Sequence, residues 1–336
     1  MKKPSGPFIR ILIGIALSLL FIYLSVRGVD FTQMASMLSG KNPWALLPAV
    51  GLSVLVLSLR IFRWGLILSP LCRIPSGELI AIAGAGYFSI VLIPARIGEF
   101  VRPYLLHTGG HLRFASSLAT VFLERVMDML SILMVFIVMV MISPLPEWAI
   151  TSGKAAAGFL SLLVAFVVLL YFKGPLVVKT TRLLLGPLPS GLRDRVIHLL
   201  EEFIEGFEAI ASGWRMLGIV MLSLMVWFCS GLLIHTVLLF FTIDLGLFVA
   251  FLVLVINIIG ISIPTAPGML GNFQYACILA LSIYGVPKEE ALAFSVVYYL
   301  VGMGAITFLG LWSLTRINVS PAKALRELAG MLRKGA

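Results

Sequence analysis

The sequence predicts an all-α, polytopic integral membrane protein of about six spanning helices plus two re-entrant hairpins, eight apolar segments in all. Three observations predict it. Of the 336 residues, 60% are hydrophobic and only 12% charged, against about 25% charged in a soluble domain. Apolar runs near 20 residues recur along the whole chain, each long enough for a ~30 Å hydrocarbon layer. Prolines interrupt two of these runs, at Pro94 and at Pro264. The whole chain, 1–336, reads as a single membrane domain.

In order, a first helix is expected from about Phe8 to Val26, followed by a loop with Arg27, Asp30 and Lys41. It follows Lys2, Lys3 and Arg10, as a signal peptide would, but no small-x-small cleavage site precedes Arg27, so an uncleaved helix is expected. A second helix runs from about Trp44 to Leu68. The first broken element spans about Ser76 to Leu106, a long helix runs from about Ser116 to Ile142, and another from about Ala155 to Phe172.

The stretch 173–213 is the clearly non-membrane region. Leu192, Val196, Leu199, Leu200, Phe203, Phe207, Ile210 and Ala211 recur there at helical spacing, with Arg193, Arg195, Glu201, Glu202, Glu205 and Glu208 between them. That pattern predicts an amphipathic helix of about 20 residues on the membrane surface or on the bundle.

Helices at about Trp214–Phe241 and Leu247–Ile263 lead into the second broken element, 264–274, and a further apolar piece reaches Tyr284. A last span covers about Ala291–Thr315. The tail 316–336 is basic and amphipathic, suited to an anionic membrane surface.

Net charge is +10. In a soluble protein this would suggest nucleic acid, but here the cations flank membrane segments. Twenty of the 25 Lys and Arg fall in the N-terminus, 60–73, 96–113, 173–215 and 316–336. Both termini are therefore expected in the cytoplasm of a bacterial inner (plasma) membrane. If both broken elements are re-entrant hairpins, the chain divides into inverted halves, 8–142 and 155–315, with paired breaks marking a transporter site. The charge count equally allows the second element to cross twice as two short helices.

The chemistry concentrates at a few residues. Arg96, Glu99 and Arg102 follow Pro94 and flank Gly98; at helical spacing they form one ladder, and a guanidinium held by a carboxylate presents a fork fitted to phosphate. The plain alternative is a charge cluster at the cytoplasmic interface. Glu124, Arg125 and Asp128 interrupt an apolar helix, and a headgroup contact, an ion pair with the first hairpin or a proton relay each explain them. Arg60 and Arg63 lie on one face of the second helix, where snorkelling is the plain reading and phosphate contact the sharper one.

Asn257, Asn272 and Gln274 surround the second break with Pro264, Pro267, Gly268 and Gly271, and suit broken backbone or a headgroup. The three cysteines are scattered and the four histidines lack metal-ligand spacing. No Gly-x-x-x-x-Gly-Lys loop or Gly-x-Ser-x-Gly elbow occurs, so no metal, cofactor or catalytic residue is expected.

With these residues in view the chain resembles a known family, the membrane (flippase) domain of lysylphosphatidylglycerol synthase/flippase proteins. Pro94-x-Arg96-x-Gly98-Glu99-x-x-Arg102, Glu124-Arg125-x-x-Asp128 and Pro264-x-x-Pro267-Gly268-x-x-Gly271 carry the likeness, which covers about residues 8–315. The chain departs from the family pattern at Met269 and Gln274, where a second glycine and an acidic residue are usual. The resemblance implies a stand-alone lipid flippase that moves an anionic or isoprenoid-linked, glycosylated lipid between leaflets. The synthase's aminoacyl-transfer domain has no counterpart in this sequence, so lysyl-lipid synthesis is not expected. Two other readings stay open: a membrane scaffold for a synthase, working with that partner or as a homo-oligomer, and an enzyme acting on a lipid phosphate.

Overall fold

Every span proposed from hydropathy is helical in the structure, a computed structural model that describes residues 6–142, 147–210, 213–263 and 265–317. Its elements are α1 (Gly6–Val26), α2 (Phe31–Leu38), α3 (Leu47–Leu68), α4 (Ser76–Leu92), α5 (Val101–Thr108), α6 (Phe114–Ile142), α7 (Glu147–Leu184), α8 (Ser190–Ile210), α9 (Gly213–Phe240), α10 (Gly246–Ser262), α11 (Asn272–Ser282) and α12 (Lys288–Arg316). Short 3-10 turns at Pro43–Leu46, Pro94–Phe100 and Pro267–Met269 punctuate them. Pro264, the tail 318–336 and the side chain of Arg96 lie outside the described residues.

Among the described residues, four helical stretches are long and apolar enough to cross a membrane: Pro43–Leu68, Phe114–Ile142, Trp214–Phe240 and Lys288–Arg316. Two bent pairs, Ile13–Val26 with Phe31–Leu38 and Ala157–Phe166 with Val168–Leu184, raise the number to six. The protein is thus a multi-pass membrane protein. On α3 burial runs opposite to that of a soluble protein at one point: Phe62 is 65% exposed while its neighbour Arg63 is fully buried. Apolar side chains that face outwards are expected where the solvent is lipid.

The first arms of the two broken elements, α4 and α10, are 17 residues each. At 1.5 Å per residue such a helix is ~25 Å long, short of the hydrocarbon thickness. Both are followed by a 3-10 turn, a short helix (α5 or α11) and a 29-residue helix (α6 or α12).

Three details differ from expectation. The loop after the first span contains α2, because Asp30 caps it by accepting from the amides of Thr32 and Gln33. The helical path does break next to Phe172, at the non-helical Lys173 (φ −133°, ψ 31°) ahead of Pro175, but a second helical segment follows it to Leu184. On α8, the face formed by Ile197, Ile204 and Phe207 is buried, whereas Leu192, Val196 and Leu199 are exposed. The helix therefore rests on the bundle and retains a second apolar stripe.

The chain packs as two compact units. The first comprises 1–58, 87–98 and 226–310. Its centre is the second broken element, whose open backbone is closed by neutral amides. The Asn272 side chain donates to the carbonyls of Gly260 and Ile263, and Asn257 to that of Phe273 and to the Cys277 sulfur. Gln274 accepts from the amide of Gly271, Tyr299 donates to the Gly268 carbonyl, and Ser18 to that of Leu270. Gly268 and Gly271 have φ of +75° and +92°. The Lys41 and Lys288 ammoniums donate to carbonyls at helix C-terminal ends, those of Phe240 and of Leu24 and Arg27.

The second unit comprises 59–86, 99–225 and 311–336. Ile67, Ala119, Leu123, Phe207 and Ile219 form an apolar core there, joining α3, α6, α8 and α9. Ser116 on α6 donates to the Glu202 carbonyl of α8.

Candidate functional site

The second unit contains an ion-pair cluster drawn from α3, α5, α6 and the turn before α5. Charged groups inside membrane helices face protein or trapped water because exposure to hydrocarbon is costly. Here four guanidiniums (Arg60, Arg63, Arg102 and Arg125) meet three carboxylates (Glu99, Glu124 and Asp128), leaving one cation in excess among the described side chains. Glu124 lies ten residues into α6, ~15 Å along the axis from its start.

The cluster has an inner and an outer part. Inside, Glu124 accepts from Arg102 Nη1 at 2.7 Å and from Arg63 Nη2 at 3.1 Å. Arg63 Nη1 also donates to Asp128 at 2.8 Å and to the Ser223 hydroxyl of α9 at 2.9 Å. Arg63, Arg102 and Glu124 are fully buried. The Arg102 guanidinium lies over the Trp64 ring, 5.1 Å from its centroid, and Trp64 donates its indole N–H to Thr120. Buried charges persist when paired at such distances and satisfied by further hydrogen bonds.

The outer part is looser. Arg125 stands 3.4 Å from Glu124, 3.5 Å from Asp128 and 3.8 Å from Glu99, and Arg60 is 3.8 Å from Asp128. Their side chains are 27% and 19% exposed. Contacts beyond about 3.2 Å fall outside the strong charge-assisted range. These two guanidiniums are the partly exposed cations of the cluster.

Local sequence explains the placement. Arg102 reaches Glu124 only because α4 offers a slot at Gly86: a Cβ there would stand 2.1 Å from Arg102 Cγ. In the first unit, the turn Pro94–Phe100 folds back on the end of α4 at Gly98, where a Cβ would meet the Ser89 carbonyl group at 2.4 Å.

Two readings from the sequence are corrected. Arg63 does not snorkel; it is buried and hydrogen-bonded to α6 and α9. Arg102, read as a phosphate ligand, is fully buried against Glu124. Of the two readings open for Asn257, Asn272 and Gln274, the structure realises broken backbone: the two asparagines are buried and donate to carbonyls, and Gln274 accepts from the Gly271 amide. Glu99 and Asp128 do join the cluster, so the ion pair with the first hairpin is realised.

Ser223, Trp64, Thr120 and Gly86 were missed. Ser, Thr and Gly in apolar helices look like ordinary packing, although Gly86 one turn-pattern before a break was a readable signal. No group of three or more His, Cys, Asp or Glu side chains among the described residues is placed to hold a metal ion.

The apolar spans, the broken helices and the buried, nearly balanced charge cluster define a polytopic integral membrane protein. The chain belongs to the family of the lysylphosphatidylglycerol synthase TM region, whose model matches residues 11–310. It is 27% identical over 224 residues to the UPF0104 membrane protein MJ1078 of Methanocaldococcus jannaschii, covering 65% of this chain and 89% of that one. It is 23% identical over 352 aligned positions to Glycosyltransferase AglD of Haloferax volcanii, covering 96% of this chain. The chain spans 56% of that protein's length.

Proposed function

We propose that this chain translocates a phosphate-bearing lipid between the leaflets of a cell membrane and is itself not an enzyme. The observation that carries this reading is the division of the cluster. A locked core of Arg63, Arg102 and Glu124 holds Arg60 and Arg125 at its edge, both partly exposed and 3.4–3.8 Å from its carboxylates. A lipid phosphate arriving there can displace the 3.4–3.8 Å contacts to carboxylates and gain bidentate donors, with Glu99 and Asp128 as the exchange partners. Moving a headgroup through hydrocarbon unaided would strip its charge and hydrogen-bonding groups of water, at a cost of many kcal/mol. The resemblance to flippase-type domains supports the same reading.

On this reading both termini are cytoplasmic, and the repeated succession of a 17-residue helix, 3-10 turn, short helix and 29-residue helix reflects two inverted halves. Translocation in proteoliposomes tests the function: fluorescent phospholipid in the outer leaflet should become inaccessible to an impermeant quencher faster than in protein-free vesicles. Equal rates for every phospholipid tried would refute it.

A second reading has one observation in its favour. The exposed stripe Leu192, Val196 and Leu199 on α8 suits a partner synthase, and one relative is named a glycosyltransferase. Replacing the three apolar residues with Ser should then release the partner while translocation persists.

A further inference from the structure

The second unit holds a cavity of about 630 Å³ where the first turns of α4, the end of α5 and the end of α12 meet. Its mouth carries opposite charges, Glu78 and Arg316, together with Trp312 and Thr108; its floor is apolar, with Ile82 and Leu105 buried. We propose that this cavity is a docking site for a phospholipid headgroup that carries both a phosphate and a primary amine. The proposal rests on the lipid-carrying reading for its purpose, and it adds a site apart from the charge cluster.

The volume lies within the range of small-molecule sites. The polar mouth over an apolar floor matches the junction between a headgroup and its glycerol ester. Arg316 lies over the Trp312 ring at 5.5 Å, and a guanidinium so stacked still presents its fork of donors edge-on to a phosphate. Tryptophan and arginine together are also typical of the membrane–water boundary.

Glu78 sets the choice of headgroup. Its carboxylate is fixed by the His111 ring nitrogen at 2.9 Å and remains 43% exposed. A headgroup with phosphate alone would meet this carboxylate as a repulsive neighbour. An ammonium on the same headgroup removes that repulsion and adds a charge-assisted hydrogen bond.

The position connects the cavity to the ion-pair cluster. Ile82 lies one turn before Gly86 on α4, and Leu105 lies one turn after Arg102 on α5. Gly86 and Arg102 are the close-packed pair that seats the Arg102–Glu124 bridge. A headgroup docked at the mouth therefore stands above a floor one helical turn from the locked core.

The test is binding of short-chain phosphatidylethanolamine and short-chain phosphatidylglycerol to the full-length protein in detergent, by calorimetry. Wild type should bind the ethanolamine lipid more tightly. Glu78→Gln should weaken ethanolamine binding about tenfold, the effect of one lost hydrogen bond to a charge, without weakening the glycerol lipid. Arg316→Gln should weaken both. Equal affinity for the two lipids in wild type, an unchanged preference in Glu78→Gln, or unchanged binding in Arg316→Gln would each overturn the proposal. Loss of translocation with this binding pattern intact would instead count against the carrier reading, and translocation without it would count against the cavity alone.

Discussion

Replacing Glu124 withdraws the carboxylate on which two buried guanidiniums close. In wild type it accepts from Arg102 at 2.7 Å and from Arg63 at 3.1 Å, and all three side chains are fully buried. Removing one partner from such a set leaves uncompensated charge out of water, which costs about 3–5 kcal/mol. Glu124→Gln keeps an acceptor for one donor and should fall near the lower end; Glu124→Ala should reach the upper end. The measurement is reversible unfolding in mixed micelles. Because the cost is that of an orphaned cation, Arg102→Gln combined with Glu124→Gln should destabilise by less than the sum of the two single changes, with a coupling of roughly 1–3 kcal/mol. Strictly additive effects, or Glu124→Gln as stable as wild type, would refute the locked core.

Three further outcomes are expected. Gly86→Ala places a Cβ where Arg102 Cγ stands and should destabilise by about 1–3 kcal/mol, checked by the same unfolding measurement. Arg63→Lys keeps the charge but cannot reproduce donation to Glu124, Asp128 and Ser223 together, so it should lose about 2 kcal/mol while Arg60→Lys changes little. Asn272→Leu leaves the Gly260 and Ile263 carbonyls without their amide donor; a loss of roughly 1–3 kcal/mol and faster hydrogen exchange at α11 should follow.

Much of this architecture was readable from residue patterns. Pro94 announced the first break, and the 3-10 turn begins there. Glu124, Arg125 and Asp128 stood out because charge within an apolar helix is expensive, so their gathering in a cluster was foreseeable in kind. The spacing of Phe203 and Phe207 foretold α8 but left open which apolar stripe would meet the bundle, since a single helix does not reveal its rotation.

What stayed hidden depended on contacts between distant segments. Arg63 pairs with groups 61 and 65 positions away, and the sequence shows each charge without showing which helix faces which. Arg102 beside a helix break looked like an exposed donor; only the slot at Gly86 and the Trp64 ring make it a buried one. Ser223 offers no signal, because a serine in an apolar helix most often bonds its own backbone, as this one also does to Ile219. The helix α2 was passed over as loop, although Asp30 before Phe-Thr-Gln carried a capping signature.

The two broken elements are also solved differently. The second satisfies its open backbone with neutral amides from Asn257, Asn272 and Gln274. The first leads into a turn whose Glu99 meets Arg125, and a helix whose Arg102 meets Glu124. Charge is therefore concentrated beside the first element.

The most direct test of the central claim is phospholipid translocation by the double variant Arg60→Gln with Arg125→Gln in proteoliposomes. These two guanidiniums are partly exposed and lie at the edge of the cluster, so the variant should lose less than the about 3–5 kcal/mol of orphaning a charge in the buried core. It should nevertheless translocate at least about tenfold more slowly, the loss expected for one charge-assisted phosphate contact or more. A folded double variant that moves lipid at the wild-type rate would contradict the account.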